Sequence, residues 1–116
     1  MKNEPKSDDF YCEYVLSGKI SVESVHETPN VLAYHHTRPF WETHIVVIPK
    51  RHISSLLTLQ VSDESLFLEL FEVIRSVAAK VVSEKGAARV LTNLGEYQDS
   101  KHLHFHVYAG DRTDLT

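Results

Sequence analysis

The segment HLHFHV, residues 102–107, alternates histidines with apolar residues. Successive side chains of an extended strand point to opposite faces, so alternation is typical of a half-buried strand. A rise of roughly 3.3 Å per residue would place neighbouring imidazoles about 6.6 Å apart and the outer two about 13 Å apart. The segment therefore predicts a strand with one apolar face (Leu103, Phe105 and Val107) and one face of imidazoles (His102, His104 and His106).

Four further strands are predicted from runs rich in β-branched and aromatic residues. The turn at Pro29-Asn30 separates the first two, and Pro49 closes the third, which favours an antiparallel meander. The predicted strands are VESVHET (22–28), VLAYHH (31–36), HIVVIPK (44–50) and ARVLTN (88–93).

One long helix is predicted to begin at Ser62 and to end at Gly86, because apolar residues recur there at spacings of three and four. A short N-terminal helix would be capped by Asp8 or Asp9 and end near Gly18. We therefore predict an α+β fold, a five-stranded antiparallel sheet with the long helix on one face and a short N-terminal helix. The predicted apolar stripe is Leu66, Phe67, Leu70, Phe71, Ile74, Val77, Ala78, Val81 and Val82.

Length and composition favour a single domain over residues 8–116, preceded by a polar, disordered tail at residues 1–7. The net charge of −4 and the scattered basic residues argue against binding to nucleic acid. Cys12 is the single cysteine, so the chain can form no internal disulfide, and we expect a cytoplasmic protein. No apolar stretch follows the polar N-terminus, so we expect neither a signal peptide nor a membrane span.

Three alternating histidines have four possible explanations. They can be polar residues on the wet face of a sheet, ligands of a metal, an anion-binding module, or catalytic groups. One ion cannot bind all three, because metal–nitrogen bonds are about 2 Å long and the outer pair would be about 13 Å apart. A metal site would need a further ligand from His35, His36, His44 or His52.

Catalysis at phosphorus is the explanation that we favour. Imidazole has a reference pKa of about 6.5, so near neutral pH it is largely unprotonated and can attack phosphorus, while protonated neighbours stabilise anionic oxygens. His104 is the natural nucleophile because it has an imidazole on either side.

The segment HLHFHVYAG resembles the histidine triad (HIT) motif, and the similarity extends over most of residues 8–112. The pattern is most similar to that of Hint-type and bacterial HIT proteins, and a histidine at His106 points to the hydrolase side of the superfamily. The other segments that resemble the family are FYCEYVLSGKI (10–20), ETPNVLAYHH (27–36), THIVVIPKRHIS (43–54) and RVLTNLG (89–95).

The resemblance implies a homodimeric nucleotide hydrolase that needs no cofactor or metal for its chemistry. The substrate class would be a nucleoside phosphoramidate, a dinucleoside polyphosphate or a related conjugate. By similarity, His104 attacks the α-phosphorus to form a covalent nucleotidyl-histidine, which water cleaves. His102 and His106 would orient the nucleophile and bind phosphate oxygens, His44 matches an additional histidine beside the triad, and Asn93 matches a phosphate-contacting asparagine.

Two positions depart from the family pattern. Hint-type proteins have an aspartate for the ribose hydroxyls where this chain has His36, and the family's serine or threonine before the triad is Asp99 here. Either Ser100 takes that role through a shorter loop, or leaving-group handling differs. These changes motivate the alternative, a nucleotide-binding module with little catalysis. The residues expected at the base pocket are Phe10, Tyr11, Tyr14, Tyr34 and His35, with Phe10 and Tyr34 favoured.

Overall fold

Five strands form one antiparallel sheet in the structure, a computed structural model that describes residues 9–113. The strand order is β1-β2-β3-β5-β4, with hydrogen-bonded neighbours antiparallel throughout. This confirms the predicted fold class and the meander of the first three strands. The strands are β1 (Ser24–Glu27), β2 (Val31–His35), β3 (Trp41–Pro49), β4 (Arg89–Leu91) and β5 (Phe105–Arg112).

The long helix α1 spans Glu64–Lys85 and follows a 3₁₀ turn at Val61–Asp63. It ends at Gly86, whose φ of 86° is left-handed and whose N–H donates to the carbonyl of Val82 at 2.8 Å. A side chain would strain this backbone conformation, which explains the glycine. The helix packs on one face of the sheet, where its buried residues meet a core that includes Leu103, Phe105 and Val107.

The stripe that α1 buries is narrower than predicted. Phe71 and Val82 are 48% and 46% exposed, whereas Val73, which the prediction omitted, is 2% exposed. The buried residues follow one narrow stripe along the helix. Positions 71 and 82 lie at the edge of that stripe, on the same side of it, and are therefore partly exposed. The buried residues are Leu70, Val73, Ile74, Val77 and Val81.

The N-terminal helix is a single π-helical turn, Tyr11–Val15, on the other face of the sheet. Asp9 caps it through Oδ1, which accepts a hydrogen bond from the N–H of Cys12 at 3.0 Å. Asp8 and the predicted tail at residues 1–7 lie outside the described residues. Tyr11 and Val15 pack there with the second core, Leu32, Tyr34, Val46 and Ile48.

The hydrogen-bonded part of the last strand begins at Phe105, so the prediction that the strand starts at His102 is wrong. The partner strand β3 ends at Pro49, which has no N–H to continue the ladder. The N–H of Leu103 instead donates to the carbonyl of Ile53 at 2.6 Å. The predicted division of faces still holds, because Leu103 lies in the helix-side core while Tyr11, from the opposite core, contacts the rings of His102 and His104.

Among residues 9–113, no helix is both long and apolar enough to span a bilayer.

Candidate active site

His104 has one ring nitrogen with a lone pair whose position is fixed by the backbone. Its Nδ1 lies 2.7 Å from the carbonyl oxygen of His102, and because a carbonyl only accepts, Nδ1 carries the proton. In the neutral ring Nε2 therefore holds the lone pair. Burial lowers the pKa of His104, an effect that the bond to the His102 carbonyl opposes. The ring is thus neutral near pH 7 and suited to nucleophilic attack.

His44 and His106 form a hydrogen-bonded pair beside His104. The N–H of Phe40 donates to Nδ1 of His44 at 3.0 Å, so the proton of the neutral His44 ring is on Nε2. That Nε2–H donates to Nδ1 of His106 at 2.8 Å, which leaves the proton of His106 on its own Nε2. Burial lowers the pKa of both rings to about 3. The pair therefore offers a neutral N–H donor, and the rings of His106 and His104 have centroids 5.1 Å apart.

His102 holds the ring of His104 through its backbone carbonyl. Its ring is fully buried, with Nε2 donating to the carbonyl of Pro49 at 2.8 Å and Nδ1 facing the Asp9 carboxylate at 3.1 Å. Because both ring nitrogens have partners, the ring is not placed to bind a phosphate oxygen. Its carbonyl holds His104, so orientation is the role that this geometry supports.

Asp9 contributes to the site although sequence analysis identified it only as a possible helix cap. Burial alone would raise the pKa of Asp9, but the N–H of Cys12 and the charge of His102 outweigh burial and lower it. A second histidine, His52, also bonds its carboxylate. Asp9 and His102 are far apart in sequence, so no local pattern signals this contact.

Replacing Asp9 with asparagine should lower the free energy of unfolding by about 2 kcal/mol, because a charged hydrogen-bond acceptor and a helix cap are both weakened. Urea unfolding of protein dialysed against a chelator, so that no bound cation contributes, would measure this change. Asp99→Asn, at an exposed carboxylate close to the same site, is the matched control and should change stability by less than about 0.5 kcal/mol. Equal effects of the two substitutions would contradict the role of Asp9.

His36 extends the imidazole group, whereas His35 does not belong to it. The ring of His36 stacks on His44 with centroids 4.3 Å apart, and its pKa is lowered to about 4 by burial and by the charges of His104 and Arg38. His35 is exposed and lies 3.9 Å from Glu23. Alternation along β2 directs His35 away from the face that holds Tyr34 and the triad, so its position does not favour ligand binding.

Tyr11 is the tyrosine or phenylalanine nearest to His104 among residues 9–113. Its ring centroid is 4.8 Å from that of His104 and 5.9 Å from that of His102. Tyr34 is 1% exposed and lies beside Tyr11 in the second core, so core packing explains it. Phe10 is half-buried with its ring 5.6 Å from that of Tyr11. Of the two favoured aromatic residues, only Phe10 retains access to a ligand.

The loop before β5 positions several of the predicted substrate-binding residues. Thr92 donates to the carbonyl of His104 at 2.7 Å, and the half-buried Asn93 follows it. Ser100 is buried, and its Oγ accepts from the N–H of Phe10 at 3.2 Å. Asp99 is exposed, and its charge acts to raise the pKa of His104. The roles proposed for Asp99 and Ser100 therefore stay predictions.

Gln98 is a buried polar residue that sequence analysis did not identify. It is 5% exposed, and its Nε2 donates to the carbonyls of Ser54 at 2.7 Å and Ser100 at 2.8 Å. These bonds join the loop that precedes the triad histidines to the segment after β3. The only signal in the sequence is an amide in a polar loop, which does not distinguish a buried brace from a solvated side chain.

Two groups of side chains in the described part of the chain have donor atoms close enough to bind a cation. One combines a carboxylate, a thiol and two imidazoles, a donor set suited to zinc, although burial raises the pKa of the Cys12 thiol to about 11 and opposes the thiolate form. In the other group each Nδ1 accepts a hydrogen bond, so the proton of each neutral ring is on Nε2, and no free lone pair is left for a cation. The first group is Asp9, Cys12, His52 and His102, and the second is His36, His44 and His106.

Comparisons with known proteins agree with this geometry. The HIT domain family model matches residues 17–113. A 13.2 kDa HIT-like protein of Azospirillum brasilense is 36% identical over 101 residues, which cover 84% of this chain and 83% of that protein.

Two solved structures are similar throughout. A HIT family hydrolase from Legionella pneumophila has a TM-score of 0.77 and 25% identity, covering 92% of this chain and 96% of that one. A histidine triad protein from Clostridium difficile has a TM-score of 0.72 and 30% identity, with 97% and 99% covered. The family model, the sequence relative and the fold agree with the buried histidines, and the chain belongs to the HIT domain family.

Proposed function

We propose that this protein is a nucleotide hydrolase of the Hint-type or bacterial HIT class, cleaving a nucleoside phosphoramidate, a dinucleoside polyphosphate or a related conjugate at the α-phosphorus. The observation that carries the proposal is the bond from Nδ1–H of His104 to the His102 carbonyl, which leaves the lone pair on Nε2. The similarity to a HIT family hydrolase from Legionella pneumophila supports the reaction class.

The first step forms a bond from Nε2 of His104 to phosphorus and breaks the bond from phosphorus to the leaving group. The leaving group departs with the electron pair and takes a proton from solvent. The imidazole, now bonded at both nitrogens, carries a positive charge that the His102 carbonyl stabilises through the Nδ1–H. The Nε2–H of His106 is the neighbouring donor for an anionic oxygen.

In the second step water attacks the phosphorus and loses a proton to solvent. The bond from Nε2 to phosphorus breaks, the lone pair returns to His104, and a nucleoside monophosphate is released. The same nitrogen is nucleophile and leaving group, so the site needs no separate base to regenerate it.

Incubation with adenosine 5′-phosphoramidate and with diadenosine tetraphosphate would test the proposal. We expect release of AMP from at least one of them, and a quenched reaction should contain adenylate on the peptide that carries His104. Mass spectrometry of the digest detects that adduct. No turnover of either compound, or an adduct on another residue, would overturn the proposed mechanism. Tight binding of AMP without turnover would favour a binding module, which the exposed acid at Asp99 motivates.

We further propose a homodimer formed through α1 and β4. Leu68, Phe71 and Val82 expose apolar surface along α1, at 60%, 48% and 46%. Val90, 45% exposed on the edge strand β4, is paired with Val107, whose side chain faces the helix. Val90 therefore projects on the face of the sheet that carries α1, and both elements have exposed apolar residues that an interface could bury.

Replacing Phe71 or Val90 with glutamate should convert the dimer to a monomer, because a charge would be buried without a partner. Sedimentation equilibrium measures the mass directly. Val61→Glu is the control, since Val61 is 91% exposed and lies before α1. A wild-type mass of 13.3 kDa would exclude the dimer, and variants that remain dimeric would place the interface elsewhere.

A further inference from the structure

Arg38 carries a buried nitrogen with no hydrogen-bond partner. Its Nη1 is the one buried side-chain nitrogen or oxygen within residues 9–113 that lacks one. No ion pair of the described residues includes Arg38. Arg38 is half-buried, and its guanidinium always carries its charge. Removing one of its N–H groups from water without an acceptor costs free energy, because the buried donor has no hydrogen-bond partner. An anionic ligand would supply the missing acceptor.

Arg38 lies at the end of a row of imidazoles that begins at the nucleophile. The ring of His104 has its centroid 5.1 Å from that of His106, which is hydrogen-bonded to His44. His44 stacks on His36 at 4.3 Å, and Nδ1 of His36 accepts from the backbone N–H of Arg38 at 2.9 Å. The Arg38 loop therefore belongs to the same site as His104, but at its far end.

The groups around Arg38 suit an anion. Because the Arg38 N–H occupies Nδ1 of His36, the proton of that neutral ring is on Nε2, which is a donor. The charge of Arg38 contributes to the lowered pKa of His36, which is consistent with a short separation. A cation beside a neutral donor matches the oxygens of a phosphate group.

We propose that Arg38 binds a second phosphate of the substrate, one that His104 does not attack. The centroids of His36 and His106 are 6.1 Å apart, and His106 lies between His36 and the nucleophile. The phosphate that Arg38 binds is therefore a different one from the phosphate that His104 attacks. It belongs either to the polyphosphate chain or to the ribose. This inference rests on the proposed function, which places the attacked phosphate of the substrate at His104.

Isothermal titration calorimetry with three nucleotides would test the inference and distinguish the two sources. AMP carries one phosphate, adenosine 5′-(α,β-methylene)diphosphate extends the chain, and adenosine 3′,5′-bisphosphate adds a phosphate on the ribose. We expect one of the two-phosphate nucleotides to bind the wild-type protein at least about tenfold more tightly than AMP. The Arg38→Gln substitution should remove that preference while changing AMP affinity by less than about threefold.

Arg51→Gln is the matched control, because Arg51 is exposed and paired with Asp63 outside the imidazole row. It should keep the full preference. Thermal unfolding of Arg38→Gln should show no loss of stability, since the buried nitrogen has no partner to lose. Equal weakening of all three nucleotides, or no preference in the wild type, would overturn the role of Arg38. Because these measurements involve no turnover, they are independent of whether His104 forms an adduct.

Discussion

Replacing His104 with asparagine should lower the rate of nucleotide hydrolysis by about 10⁴-fold or more, the largest effect that we expect of any substitution. Loss of a covalent nucleophile removes the reaction path and not a single interaction within it. Asparagine has no lone pair on nitrogen that can attack phosphorus. The measurement is the steady-state release of AMP, followed chromatographically, together with the covalent adduct in quenched samples.

The control for this substitution is His26→Asn. His26 lies on β1 and is exposed, so it tests loss of an imidazole away from the site. We expect its turnover to remain within about twofold of wild type. If His104→Asn kept substantial turnover, the nucleophile would be another group or water itself, and the fixed lone pair would have a different use.

Acid should destabilise the protein strongly, because His44 and His106 are buried and neutral. Both have pKa values lowered from 6.5 to about 3. Below about pH 6.5 these histidines bind protons in the unfolded chain but not in the folded chain. The free energy of unfolding is therefore highest above that pH and falls as the pH drops toward 3. At about pH 5 each ring lowers the free energy of unfolding by about 2 kcal/mol relative to neutral pH, which gives about 4 kcal/mol for the pair.

Urea unfolding at about pH 7.5 and about pH 5 measures this loss. The informative quantity is the difference between the two pH values, so a variant that is less stable overall remains useful. His44→Gln should reduce the difference by about 2 kcal/mol, since one buried titrating group is removed. His26→Asn should leave it unchanged, because His26 is exposed. A difference below about 1 kcal/mol in the wild type would show that these rings are charged or solvated.

The alternation of residues 102–107 is sufficient to predict the two faces of the last strand. Burial of Leu103 against α1 follows from the hydrophobic pattern, which depends only on local spacing. The point at which strand pairing begins does not follow, because it depends on Pro49 ending β3 more than fifty residues earlier. Similarly, periodicity could identify α1 but not its rotation, so Phe71 was placed in the core and Val73 was omitted.

The candidate site also has some features that the sequence predicts and others that it does not. His44 and His104 could be identified because the family resemblance marks their positions, but the protonated nitrogens could not. Those depend on which backbone group each ring meets, the N–H of Phe40 in one case and the carbonyl of His102 in the other. Asp9 and Arg38 were missed as members of the site for a related reason, since only tertiary packing brings a polar side chain from a turn or loop to buried imidazoles.

The bond between Asp9 and His102 links the beginning of the described chain to the segment that leads into its last strand. Because the His102 carbonyl holds Nδ1 of His104, the orientation of the His104 ring depends on both of these distant segments. A molecule cleaved just before Cys12 would retain every histidine of the triad but lose the carboxylate that holds the His102 ring. Under the proposed mechanism, activity therefore depends on the segment before Cys12 as well as on the histidines themselves.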